Sequence, residues 1–156
     1  MPSIAENILS TVLTDLVKIT TGNAYRNTIK SAKKGAISFE QKYNLPACGC
    51  ALANENLIER ARGDTIGIYE ADLLIECLFK ADTGEGKLTD LGESIIDDIK
   101  KHFRQDSSVN QTSLSSLLNI QFIRSVVVSK VFRALDYDEN KGQCLFVLKL
   151  EYTELI

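Results

Sequence analysis

The chain of 156 residues has a single histidine, His102, which leaves little scope for imidazole acid–base chemistry. Its position between Lys101 and Phe103, near the end of an amphipathic segment, suits a solvated side chain that complements the helix dipole. A glycine-rich phosphate loop is missing too. Asp82-Thr83-Gly84-Glu85-Gly86-Lys87 contains G-x-G and a lysine, but it lacks the Walker spacing, and its two acids would repel a phosphate. Adjacent Asp97 and Asp98 diverge by about 100° around a helix, so they do not converge on one metal and are expected as surface charges. No apolar run is long enough to cross a bilayer. Met1-Pro2-Ser3-Ile4-Ala5-Glu6 lacks the basic start and apolar stretch of a secretory signal, so residence in the cytoplasm where the chain is made is expected. These shortages lead to an expectation of no catalytic residue, no cofactor and no metal.

Four cysteines are present. Cys48 and Cys50 are one residue apart, closer than the usual zinc-ligand spacing, and Cys77 and Cys144 stand alone in apolar runs. Each occupies a position where Val or Ala would fit, so all four are expected to be reduced, metal-free core residues. Hydrophobic residues make up 44% and charged residues 25% of the chain, the mixture of a folded domain, and the length suits one domain spanning residues 1–156.

The net charge of −3 and pI near 5.2 argue against a dedicated nucleic-acid binder. The charge is unevenly distributed. Residues 26–42 hold Arg26, Lys30, Lys33, Lys34 and Lys42 against Glu40 alone, whereas residues 55–98 hold twelve acids against Arg60, Arg62, Lys80 and Lys87. Such patches either are solvated faces or meet charged partners.

Ser3-Ile4-Ala5-Glu6 has the form of a capping box, and Ile8, Leu9, Val12, Leu13, Leu16 and Val17 recur at helical spacing, so a first helix should run to about Thr20-Thr21-Gly22-Asn23. The stretch 25–37 is compatible with a strand or an exposed arm. Pro46 opens a short buried strand, 47–52, and Asn54-Glu55-Asn56 reads as a turn out of it. From 65 to 80, Tyr69, Ala71, Leu73, Ile75, Cys77 and Phe79 alternate with mostly polar residues, the pattern of a strand with one apolar face. After a turn-like 82–86, Leu88, Leu91, Ile95, Ile96, Ile99 and Phe103 mark a second amphipathic helix. Residues 107–119, rich in Ser and Asn, read as a connection with one short helical turn. Two strands, 120–132 and 143–153, then form an antiparallel hairpin across the polar loop 136–142. The predicted class is α+β: an antiparallel or mixed β-sheet covered mainly on one face by two amphipathic helices.

The order of motifs resembles a known family. An opening helix ends in Ile19-Thr20-Thr21-Gly22-Asn23-Ala24-Tyr25, and Asn44-Leu45-Pro46-Ala47-Cys48 leads into a strand. The long strand 66–81 precedes Leu88-Thr89-Asp90-Leu91-Gly92-Glu93-Ser94-Ile95-Ile96-Asp97-Asp98-Ile99-Lys100, and the chain closes near Leu150-Glu151-Tyr152-Thr153. This pattern is similar to the tail-terminator (tail-completion, minor tail) proteins of long-tailed bacteriophages and prophages. Cys48-Gly49-Cys50 and the long 107–119 connection depart from it.

The resemblance implies a non-enzymatic virion protein at the head–tail junction, forming a ring, usually of six copies, on the head-proximal end of the tail tube. Its partners would be copies of itself, the tail tube protein and a head–tail connector or stopper protein, with no membrane and no sequence-specific nucleic acid. The alternatives are a connector or stopper subunit, or a small nucleic-acid-binding module suggested by the basic 26–42 segment. A ring requires a head-to-tail contact. The candidate pairing sets Lys30, Lys33 and Lys34 of one subunit against Glu85, Asp90 and Glu93 of the next.

Overall fold

Apolar residues three and four apart near the amino terminus wind into helix α1, Ile4–Leu16, in a computed structural model that describes residues 4–37, 43–61, 63, 65–81, 85–103, 124–136 and 140–155. Ile8, Val12 and Leu16 are buried, because residues four apart stand above one another on a helix. Val17, expected on the same stripe, is 46% exposed. Its amide still reaches the Leu13 carbonyl, and nine residues on from Ile8 it stands about 180° around the helix, on the outer side, before the Lys18 and Ile19 amides turn back to the Asp15 and Leu16 carbonyls. The capping-box residue Ser3 lies outside the described residues. A short 3-10 turn, Thr21–Asn23, and left-handed Ala24 (φ 69°) follow.

The ambiguous stretch after Tyr25 contains a strand, β1, Ser31–Lys34, which pairs parallel with β2, Ala47–Ala61. The expected turn at Asn54-Glu55-Asn56 is corrected, since β2 continues through it. Asn54 adopts φ 54°, and the pairing with the next strand shifts register between Ala53 and Asn56, so the turn-forming residues make a bulge inside a long strand. The chain reverses at Gly63 (φ 66°) into β3, Ile66–Lys80. This strand is antiparallel to β2 on one side and to β5, Lys141–Leu155, on the other.

Helix α2 spans Glu85–His102, so Glu85 and Gly86 open the helix rather than belonging to the preceding turn. β4, Arg124–Asp136, pairs antiparallel with β5, and the first four residues of the expected strand, 120–123, lie outside the described residues. The expected 107–119 connection lies outside the described residues. Among the described residues the result is an α+β architecture with a five-stranded mixed sheet of order β1-β2-β3-β5-β4 and two α-helices.

Strand alternation builds the core. Ala71, Leu73, Ile75, Cys77 and Phe79 of β3 and Cys144, Phe146, Leu148, Leu150 and Tyr152 of β5 are buried in one cluster with Ile8, Val12 and Leu16 of α1 and Leu88, Ile95, Ile96 and Ile99 of α2. Each large apolar side chain so buried contributes roughly 1.5–3 kcal/mol. Helix α1 lies against β1 and β2, and α2 against β4 and β5. Gly142 permits the close approach of α2 to the sheet, since a Cβ there would stand 2.6 Å from the Phe79 ring and 3.2 Å from Leu88.

The alternate positions are mixed. Lys149 pairs with Glu70, Gln143 Nε2 donates to Glu76 Oε2 at 2.9 Å, and Leu74, Leu145 and Val147 are half-buried.

Candidate functional site

The charged residues singled out from sequence fall at separate parts of the fold. Lys33 and Lys34 stand on β1 at one edge of the sheet, and Lys30 just precedes that strand. Lys30 and Lys34 are exposed, and the Lys33 ammonium sits 5.5 Å from the centre of the Tyr43 ring. Glu85 opens α2, and Asp90 and Glu93 are exposed on its first half. Because α2 lies against β5 and β4, this acidic surface belongs to the opposite side of the sheet from β1. Arg26 and Asp97 approach to 4.0 Å, both side chains being more than half exposed; a pair this open contributes little.

A second arrangement is buried. His102, expected to be solvated, is only 2% exposed. Its Nδ1 lies 2.6 Å from the Tyr25 hydroxyl and its Nε2 lies 3.4 Å from Asp15 Oδ1, with Asp15 itself fully buried. Which of the two groups donates in the Tyr25–His102 bond depends on the ring tautomer, and Nε2 approaches Asp15 without a hydrogen bond. Lys18 Nζ also reaches Asp15 Oδ1, at 3.3 Å.

Asp98, expected as a surface charge, is 4% exposed. Its carboxylate accepts from the Arg26 amide at 3.2 Å, the Asn27 amide at 2.8 Å and Asn27 Nδ2 at 2.9 Å. Ser94 Oγ also accepts from Asn27 Nδ2, at 2.9 Å. Asp97, one step around the helix, is exposed as expected. These polar groups therefore tie the end of α1 and the 24–27 segment to the second half of α2.

The Asp15–His102–Tyr25 order has the form of an acid, a base and a hydroxyl, but among the described residues the buried His102 Nε2 has no hydrogen-bond partner, so the hydrogen-bonded chain stops at the ring. Burial, together with the charges of Asp98 and Asp15, raises the Tyr25 pKa from 10.0 to about 12, so the hydroxyl holds its proton. A reactive nucleophile needs the opposite shift. Sequence carried one sign of this cluster: Asp15 lies seven residues after Ile8, on the buried stripe of α1.

The four cysteines are free and buried. Strand register aligns three of them in a way their sequence separation concealed, for Cys48 faces Cys77 and Cys77 faces Cys144 across β2, β3 and β5. Cys50 faces Ile75 instead, one step along the same side of β2. Burial pushes its thiol from 9.0 up to about 11 against a small opposing pull from Lys34. Among the described residues no group of three or more His, Cys, Asp or Glu is placed to hold a metal ion.

No family model and no curated protein matches the chain. Among the described residues, no helix is long and apolar enough to cross a membrane.

Proposed function

We propose that this chain is a structural subunit of a phage tail that assembles with copies of itself into a ring, usually of six. The ring caps the head-proximal end of the tail tube, stops tube polymerisation and presents a surface to the head connector. The reading rests on the motif order of the sequence, and one structural observation carries the assembly part of it. The basic Lys30, Lys33 and Lys34 belong to the β1 side of the sheet, and the acidic first half of α2 belongs to the β5–β4 side. A surface of each sign on opposite sides of one subunit suits a heterologous contact, in which each copy meets the next head to tail and the rotation closes.

In this proposal both helices cover one face of the sheet and leave the other, with its half-buried Leu74, Leu145 and Val147, for contacts within the assembly. The buried network among Asp15, Tyr25 and His102 has a fastening role, joining the two helices so that the charged surfaces keep a fixed relation. Its raised tyrosine pKa supports a structural rather than a catalytic role.

Deleting the gene tests the terminator role. The expected phenotype is normal heads and tube components with tails that are abnormally long or unjoined to heads. Tails of normal length attached to heads in the deletion strain would overturn it.

A further inference from the structure

We infer that Cys48, Cys77 and Cys144 form a cross-strand oxidation site, in which Cys77 bonds to one neighbour at a time and the third thiol can take its place. Facing residues of antiparallel strands have Cα atoms about 4.5 or 5.5 Å apart, inside the roughly 4.4–6.8 Å range of disulfides. Both Cys48–Cys77 and Cys77–Cys144 are such facing pairs, and all three side chains are buried on the same side of the sheet. The thiols already interact. Cys77 is drawn down by its hydrogen bond with Cys144 but driven up more strongly by Cys48 and by burial, while Cys144 is raised by its bond with Cys77 and by burial.

The same geometry excludes the other pairings. Cys48 and Cys144 are on strands two apart, about 9.5 Å from spacings of about 4.7–4.9 Å, beyond disulfide reach. Cys50 faces Ile75, with no cysteine opposite it, and its Cβ stands about 6.6 Å along β2 from that of Cys48, beyond the roughly 3.5–4.5 Å of a disulfide.

The chemistry balances with a diazene oxidant such as diamide. One thiolate adds to the N=N bond, and the facing thiolate attacks that sulfur, forming S–S. The nitrogen pair leaves as the hydrazine, carrying the two electrons and two protons lost by the thiols. Exchange then follows from the row itself. The Cys48 thiolate attacks Cys77 sulfur from the side opposite Cys144, the Cys77–Cys144 bond breaks, and Cys144 leaves with the electron pair and takes up a proton. Because two of the three thiols are held above their ordinary range, the reaction accelerates as pH rises. In a particle that leaves a reducing cytoplasm, such a bond would fasten β3 to β2 or β5. That consequence rests on the proposed virion role, whereas the chemistry does not.

The test treats the purified full chain with diamide at pH 7 and pH 9. A parallel sample is refolded in a glutathione redox buffer, so that burial does not limit access. Products are mapped by non-reducing peptide mass spectrometry, with fragment spectra that separate Cys48 from Cys50. The expected result is loss of two hydrogens per chain, with Cys77 in every intramolecular disulfide and Cys50 still a thiol. C48A should retain only Cys77–Cys144, C144A only Cys48–Cys77, and C50A both. C77A should form neither. A Cys48–Cys50 product in the unaltered chain, or no intramolecular disulfide in either sample, would overturn the inference whether or not the substituted chains fold. A normal disulfide map with failure of the tail phenotype would overturn the ring reading alone.

Discussion

Tyr25, His102, Asp15 and Asp98 show how position in three dimensions decides the behaviour of single residues. His102 follows two lysines in the last turn of α2, which locally describes a solvated cation. Its burial is set by Tyr25, 77 residues earlier, and by Asp15 on the other helix, contacts no local pattern encodes. Asp97 and Asp98 are indistinguishable by type, but Asp98 lies seven residues after Leu91 and three after Ile95, on the inward side of α2, where the Arg26 and Asn27 amides meet its carboxylate. The raised Tyr25 pKa carries a stability consequence. Between its ordinary value of 10.0 and about 12, the unfolded chain loses the phenolic proton while the folded chain keeps it. Folding stability therefore falls as pH rises through this window, and the contribution is fully present below pH 10. Comparing urea unfolding of the parent with that of Tyr25→Phe from pH 9 to 12 should show a shallower decline in the variant. Parallel profiles would mean that Tyr25 titrates normally.

At the scale of elements, β3 was the most legible, because a two-residue period runs from Tyr69 to Phe79 and Ala71, Leu73, Ile75, Cys77 and Phe79 are buried as it selects, although Tyr69 is only partly buried and Leu78 is buried out of phase. Both helices were legible for the same reason at their own period. β2 was half legible: its first residues are small and apolar, but Asn54-Glu55-Asn56 carries the chemistry of a turn, and a bulge uses the same residues. β1 is four residues long and parallel to its neighbour, so its pairing depends on β2 rather than on any pattern of its own. The cysteine row was invisible because register is a property of strand pairs. The bulge gives a direct check. Asn54 combines a left-handed φ with a hydrogen bond from Nδ2 to Asp72 Oδ2 at 2.9 Å. Asn54→Ala should lose about 1–2 kcal/mol, from the backbone penalty and the bond. Asn54→Gly, which relieves the backbone penalty, should lose less. Equal losses in thermal or urea unfolding would show that the backbone conformation is not what Asn54 provides.

For the whole molecule, the proposed ring turns on two charged surfaces meeting between subunits. Exposed pairs contribute only about 0–1 kcal/mol each, so they set register and association rate while apolar contacts supply most of the affinity. Reversing Lys33 and Lys34 to Glu should weaken assembly at low salt, and adding Asp90→Lys and Glu93→Lys should partly restore it. Undiminished assembly of the first variant, or no rescue in the second, would move the interface elsewhere. The most direct measurement of the central claim is electron cryomicroscopy of tubes polymerised from the cognate tail tube protein and mixed with the purified chain. A closed ring of identical subunits should stand at one end of each tube, with no further growth there. Bare ends on growing tubes, with the chain remaining monomeric at saturating concentration, would contradict it.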